Sequence, residues 1–214
     1  MARRALTVVS TQDALSDSLR ERILAGEFAP GAPLGEVDVA TEYGVARPTA
    51  RAVIQGLVHE GLLRREPNRS ARVPELTADD VRDLFYVREA LEVQVVATLT
   101  ERKLRPAAAE QAVRRLESLR PGSAWSDAVE ADLRFHAALV EAVDSPRLTR
   151  AFKALEAEIR LCLVQMRPGY DDLSVLAREH RDLLEAVAAG PRRTAVRLMT
   201  EHLEHGVAEL TASR

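Results

Sequence analysis

The chain has 214 residues, 46% hydrophobic and 29% charged, which suits one large folded domain or two smaller ones and excludes disorder along the whole length. Aromatic residues make up only 4%, while Ala, Leu, Val, Glu and Arg dominate, so an all-β fold is excluded as well. No stretch approaches the roughly 18 unbroken apolar residues of a membrane span; the start holds only the apolar run 5–9 before charges return, and the protein is expected to be cytoplasmic, with no membrane partner.

A single cysteine, Cys162, rules out an internal disulfide and any Cys-x-x-Cys zinc motif, and reads as a small core hydrophobe. The formal net charge of -3 is unevenly spread: residues 43–74 hold six arginines, at 47, 51, 64, 65, 69 and 72, against Glu60 and Glu66. Arg outnumbers Lys 28 to 2 over the chain, so placement rather than abundance carries the argument for an anionic partner.

In residues 12–25, Leu15, Leu19 and Ile23 recur every four positions, as on one helix face, and Gly26 stops that helix. Turn residues 29–33 follow, then a short second helix over 36–43 closed by Gly44, then a third over 47–60 with Ala50, Val53, Ile54 and Leu57 on its apolar side. Two short helices across a tight Gly-containing turn make a helix-turn-helix, whose second helix enters a DNA major groove. Arg47, Arg51 and Gln55 are spaced by four and face away from the apolar stripe, where they reach phosphates and base edges; a solvated charged face would have the same spacing. Residues 62–65 and 71–73 are two extended candidates around the turn-rich segment 66–70, tipped by Arg69. Together these elements make a winged helix over residues 11–74, behind a flexible tail at 1–10.

Thr77-x-x-Asp80 opens a helix that carries Val81, Leu84, Phe85, Leu91, Val95 and Leu99 on one stripe, with Arg88 on that same stripe. Further helices are expected over 107–119, 126–143, 146–166, 171–189 and 191–210, separated by Pro and Gly signals. The fold class is therefore mainly α: a winged helix-turn-helix followed, over 75–214, by an antiparallel bundle of about six helices.

Polar residues interrupt the apolar faces of that bundle. Asp132 and His136 lie one turn apart among Val129, Leu133, Leu139 and Val140; His180 sits among leucines on the next-to-last helix, and His202 beside Leu198 and Met199 on the last. A lone core histidine is usually just hydrogen-bonded. An Asp and three His converging offer one carboxylate oxygen and three imidazole nitrogens, a set suited to Zn, Ni, Mn or Fe with positions left open. His205, three residues past His202, is expected to be partly exposed, and His59 has no such cluster around it. A guanidinium on an apolar face must be paired, so Arg88 either meets a buried carboxylate of this chain or awaits a ligand.

Two sets of spacings resemble known families. Ile23-x-x-Gly26-x-Phe28-x-Pro30-Gly31-x-x-Leu34-x-Glu36-x-x-Val39-Ala40, then Gly44-Val45-Ala46-Arg47, Arg51 and Glu60-Gly61-Leu62-Leu63, resemble the N-terminal domain of GntR-type bacterial transcription regulators. The chain departs from that pattern in having Pro48-Thr49 where Thr-Pro is usual, and Ser70 where the wing tip commonly has Gly. Arg88-x-x-Leu91-Glu92, Asp132-x-x-Phe135-His136, Glu179-His180-x-x-Leu183-Leu184 and Met199-x-x-His202-Leu203 resemble the FCD effector domain of the FadR branch; Pro191 stands where Gly-Asp is usual. The resemblance implies DNA contacts from Arg47, Thr49, Arg51, Gln55 and Arg69, a divalent metal (Zn, Ni or Mn) on Asp132, His136, His180 and His202, and a small organic acid held with the help of Arg88. It implies a homodimeric regulator, a repressor, on a near-palindromic operator. The competing classes are a metal-dependent helical hydrolase, for which the chain lacks Glu-x-x-His, His-Glu-x-x-His and a phosphate loop, and a ligand-free dimerisation module, which leaves the inward Arg, Asp and His unexplained.

Overall fold

The computed structural model describes residues 10–165 and 173–212. The apolar run 5–9, nearly all of the tail, and the helix ends expected at 166 and at 171–172 lie outside the described residues. The chain divides into two compact units, Met1–Glu75 and Leu76–Arg214.

In the first unit, Ser10 opens α1 (Thr11–Leu24) by accepting a hydrogen bond from the Asp13 amide. The buried face of α1, Leu15, Leu19 and Ile23, packs on α3 (Arg47–His59), whose buried residues are Ala50, Val53, Ile54 and Leu57. Between them α2 (Glu36–Tyr43) ends at Gly44, which takes a left-handed φ of 64° and returns its amide to the Ala40 carbonyl. A side chain at that φ would be strained, so Gly44 makes the tight turn into α3 possible.

The hairpin expected from residues 62–65 and 71–73 is smaller than anticipated. Strand β2 (Ala71–Arg72) pairs antiparallel with β1 (Pro33–Leu34), and Arg64 joins Arg72 through a single bridge with two 2.8 Å hydrogen bonds. Residue 33 thus ends the expected turn as a strand; two residues are too few to display alternation, and Pro is tolerated on a sheet edge. At the tip, Asn68 takes the left-handed conformation at φ 63°. Asn tolerates that region, so the wing turns without a glycine at position 70.

The second unit contains α4 (Ala78–Glu101), α5 (Ala107–Ser118), α6 (Trp125–Ala142), α7 (Pro146–Gln165), α8 (Leu173–Ala189) and α9 (Arg192–Ala212). Thr77 and Asp80 form a reciprocal capping box at the start of α4. Helix α4 runs along α9 and also touches α6, α7 and α8, so it is the central element of the bundle. Its buried face differs from the expected stripe: Leu84 and Leu91 are only partly covered, whereas Arg88 and Glu92 are fully buried beside Phe85, Val95 and Val96. The buried face of α4 thus contains an ion pair among its apolar residues. Cys162 is buried, as expected of a core residue, and burial pushes its thiol up to about 12. No helix among the described residues is long and apolar enough to cross a membrane.

Candidate functional site

Three helices carry the donor cluster of the second unit. Asp132 and His136 come from α6, His180 from α8 and His202 from α9, and one donor atom from each lies within 4.8 Å of all the others. Individual separations are 3.1 Å from His180 Nε2 to Asp132 Oδ1, 3.8 Å from His136 Nε2 to the same oxygen, and 3.3 Å between the Nε2 atoms of His136 and His202. Phe135 lies edge-on to both His136 and His180, walling the cluster from one side.

The outer partners decide which ring nitrogen faces inward. His180 Nδ1 is 2.8 Å from the Leu176 carbonyl, which can only accept, so Nδ1 carries the proton. His136 Nδ1 meets Glu92, and His202 Nδ1 lies 3.1 Å from Glu179. Burial alone would raise the Glu92 carboxyl, but Arg88 and His136 overcome it and hold the group at about 2; Glu179, opposed by burial in the same way, is held low by His202 and His205. Both carboxylates are therefore acceptors, and with its Nδ1 engaged outward each of the three rings turns Nε2 toward the common centre. Burial pushes His202 down to about 4, which keeps it neutral near pH 7.

This arrangement fits a divalent cation. Two imidazole lone pairs 3.3 Å apart repel unless a proton or a metal lies between them. Asp132 Oδ2 and His180 Nε2 are buried without a hydrogen-bond partner, a costly condition for groups of this kind. Asp132 is held ionised: burial opposes its charge, but His136 and His180 keep its carboxyl well below the usual range.

Of the two alternatives considered from the sequence for Arg88, the structure shows the buried carboxylate partner. Arg88 Nε donates to Glu92 Oε1 at 2.8 Å, while its Nη2 is buried with no partner, and the guanidinium lies 4.6 Å from the Phe85 ring centre. With Asp132, His202, Phe85 and Trp125 it lines a cavity of about 30 Å³, room for a water or two. Sequence reasoning missed three supports of this site. Glu92 was visible only as part of a motif, Glu179 as the neighbour of a histidine, and Gly206 gave no signal, although a Cβ there would come within 3.0 Å of Phe85.

In the first unit, Arg47, Arg51 and Gln55 are exposed along one row of α3, Thr49 is half-buried in its first turn, and Arg69 is exposed at the hairpin tip beside Glu66. Arg47 makes no ion pair among the described residues. Arg51 donates to Glu36 at 2.9 Å, and Arg65 to the other oxygen of the same carboxylate at 3.1 Å. Glu36, at the start of α2, thus tethers two basic residues, and those hydrogen bonds hold its carboxyl below the usual range. The start of α3 has no side-chain cap; Pro48 carries no N–H, and the Thr49 amide already donates to the Ala46 carbonyl at 2.9 Å, so DNA contacts there fall to side chains.

A helix-turn-helix with a small wing, followed by a helical domain enclosing a polar donor cluster, defines the class of a DNA-binding transcription regulator with a second, helical domain. Comparison with known proteins identifies the family. The FCD domain matches residues 83–205, more than half of the chain, and the gntR family of bacterial regulatory proteins matches residues 11–73; the chain belongs to the GntR regulators that carry an FCD domain. These are transcription regulators and not enzymes. The chain is 23% identical to the HTH-type transcriptional regulator YdhC of Bacillus subtilis, over 88% of this chain and 86% of that one. It is 25% identical to the HTH-type transcriptional repressor RspR of Escherichia coli, over 87% and 82%. A GntR transcriptional regulator from Rhodococcus sp. RHA1 superposes with a TM-score of 0.80 at 26% identity, covering 96% of this chain and all of that one. The fold of the second unit is shared with a Zn2+-bound FCD domain of another regulator, at 18% identity and a TM-score of 0.55, over 64% of this chain and 95% of that one.

Proposed function

We propose that this protein is a homodimeric repressor whose FCD domain binds a divalent metal through Asp132, His136, His180 and His202, and senses a small organic acid with Arg88. The observation that carries the reading is the convergence of three Nε2 atoms and the Asp132 carboxylate on one buried point, each histidine oriented by an acceptor on its other nitrogen. A bound divalent metal supplies a fixed positive charge with open positions for an anion. Arg88 contributes the remaining recognition, since its Nη2 has hydrogen-bonding capacity that the chain does not use. The zinc-bound FCD domain of similar fold supports the metal, and the repressor RspR supports the direction of regulation.

The cavity beside Arg88 is too small for an organic acid, so binding has to displace the surrounding helices. A ligand that fits only the displaced arrangement shifts the population toward it; equal affinity for both would switch nothing. In the DNA-binding unit, Arg47, Thr49, Arg51 and Gln55 read the major groove and Arg69 follows the backbone into the neighbouring minor groove. Two such heads match a near-palindromic operator.

The test is the metal content of protein purified without chelator, measured by elemental mass spectrometry beside an Asp132→Ala/His136→Ala variant. About one divalent ion per chain, lost in the variant, is expected. No metal, with no thermal stabilisation by added Zn, Ni or Mn, overturns the reading and leaves the cluster as a polar core network.

A further inference from the structure

Beyond the four donors, the polar residues of α8 and α9 continue outward. Glu179 spans two histidines: its Oε2 accepts from His202 and its Oε1 lies 2.5 Å from His205 Nδ1. His205 in turn places Nε2 at 3.4 Å from Glu209 Oε1, one turn further along α9. Side-chain exposure falls in order along this series: 37% for His205 and 35% for Glu209, 25% for Glu179, 10% for His202, then 1% and 0% for His136 and His180. A merely structural network has no need of such a gradient, and the buried centre has an evident need of a route by which a hydrated cation reaches it.

We infer that His205 and Glu209, with Glu179 behind them, form a second, transient divalent-cation site that captures metal at the surface and passes it inward. The clause on which this rests is the assignment of Asp132, His136, His180 and His202 as the resident metal ligands. His205 Nε2 and Glu209 Oε1 sit at the spacing that one cation spans with two bonds of about 2.1 Å in tetrahedral geometry, and the i, i+4 relation on a helix holds both donors on one face. Glu179 reaches both the capture pair and a resident ligand with its two oxygens, so each step exchanges one carboxylate or imidazole donor for another without returning the ion to water. The three carboxylates nearby, Glu179, Glu209 and the buried Asp132, bias that path toward cations.

A site that only lowers a barrier speeds loading and release by the same factor and leaves the equilibrium unchanged. The experiment uses the full chain stripped of metal, mixed with Zn2+ in a stopped-flow instrument against a chromophoric zinc indicator. Release is followed with excess chelator, and affinity and stoichiometry are measured separately. A His205→Gln/Glu209→Gln variant, and Glu209→Gln alone, are compared with wild type and with Asp132→Asn. Glu209→Gln alone is expected to load and release zinc about tenfold more slowly with one ion per chain and wild-type affinity, and the double variant to be slower still. Unchanged rates overturn the capture site. Affinity weakened by roughly tenfold or more with loading unchanged also overturns it, because His205 then acts by orienting His202 through Glu179. Wild type that binds no zinc, indistinguishable from Asp132→Asn, refutes the resident site itself.

Discussion

Arg88 and Arg51 have opposite surroundings, and the difference determines how each should be tested. Arg88 is buried against Glu92, which also serves His136. Arg88→Ala therefore leaves a buried carboxylate without its main counter-charge, a loss of about 3–5 kcal/mol, and confounds any loss of ligand response with loss of fold. Arg88→Lys keeps the charge beside Glu92 but removes the planar fork. It is expected to retain most of the stability in a urea melt while losing the effect of the organic acid on DNA affinity. Arg51 is exposed and paired with Glu36; in the proposed docking that pairing has to be given up before Arg51 meets DNA. Arg47→Ala is expected to weaken operator binding by about 1–3 kcal/mol, read by fluorescence anisotropy. Glu36→Gln is expected to tighten binding, because it removes a negative charge and frees two arginines; weaker binding in that variant would show that Glu36 positions Arg51 rather than restrains it.

At the scale of the helix, the ends and the close contacts carry separable energies. The Thr77–Asp80 capping box satisfies amides at the start of α4, the helix on which Arg88 and Glu92 stand. Thr77→Ala is expected to cost about 1 kcal/mol of stability, visible as a lower urea midpoint without loss of metal. Gly206 lies inside the unbroken α9, where exchange for Ala in an open helix would gain about 1 kcal/mol. Here the added Cβ comes to 3.0 Å of Phe85, the ring stacked on Arg88. Gly206→Ala is expected to lose that gain and to weaken binding of the organic acid by shifting Phe85; a variant more stable than wild type with normal ligand response would mean that Phe85 yields freely.

Across the second unit, the four donors come from three helices, and the carboxylates that orient two of the histidines come from α4 and α8. An ion bound there would tie α6, α8 and α9 together. Removing it with a chelator is expected to lower the melting temperature of the FCD domain, by an amount corresponding to about 4 kcal/mol when free metal had stood at a thousand times Kd. The same treatment of Asp132→Asn should change nothing. Binding of non-specific DNA at low salt is expected to survive chelation, because the exposed row on α3 owes nothing to the cluster.

Much was legible before any coordinates. The periodicity of Leu15, Leu19 and Ile23, the Gly44 turn and the Thr77–Asp80 cap mark local structure, and local structure depends on neighbours in the chain that the sequence displays directly. The spacing of Asp132 and His136 likewise puts two donors on one face of one helix, and the inward positions of His180 and His202 follow from the apolar residues around them. By itself, then, the sequence determined the order of the helices, the helix-turn-helix and which four side chains face inward. Only the tertiary structure decided that Glu92 and Glu179 orient His136 and His202, that Glu36 holds Arg51 and Arg65, that β2 pairs with Pro33–Leu34, and that Gly206 makes room for Phe85. Each of these joins residues far apart in the chain, and the distance between two such residues is set by how helices pack, which no local pattern encodes.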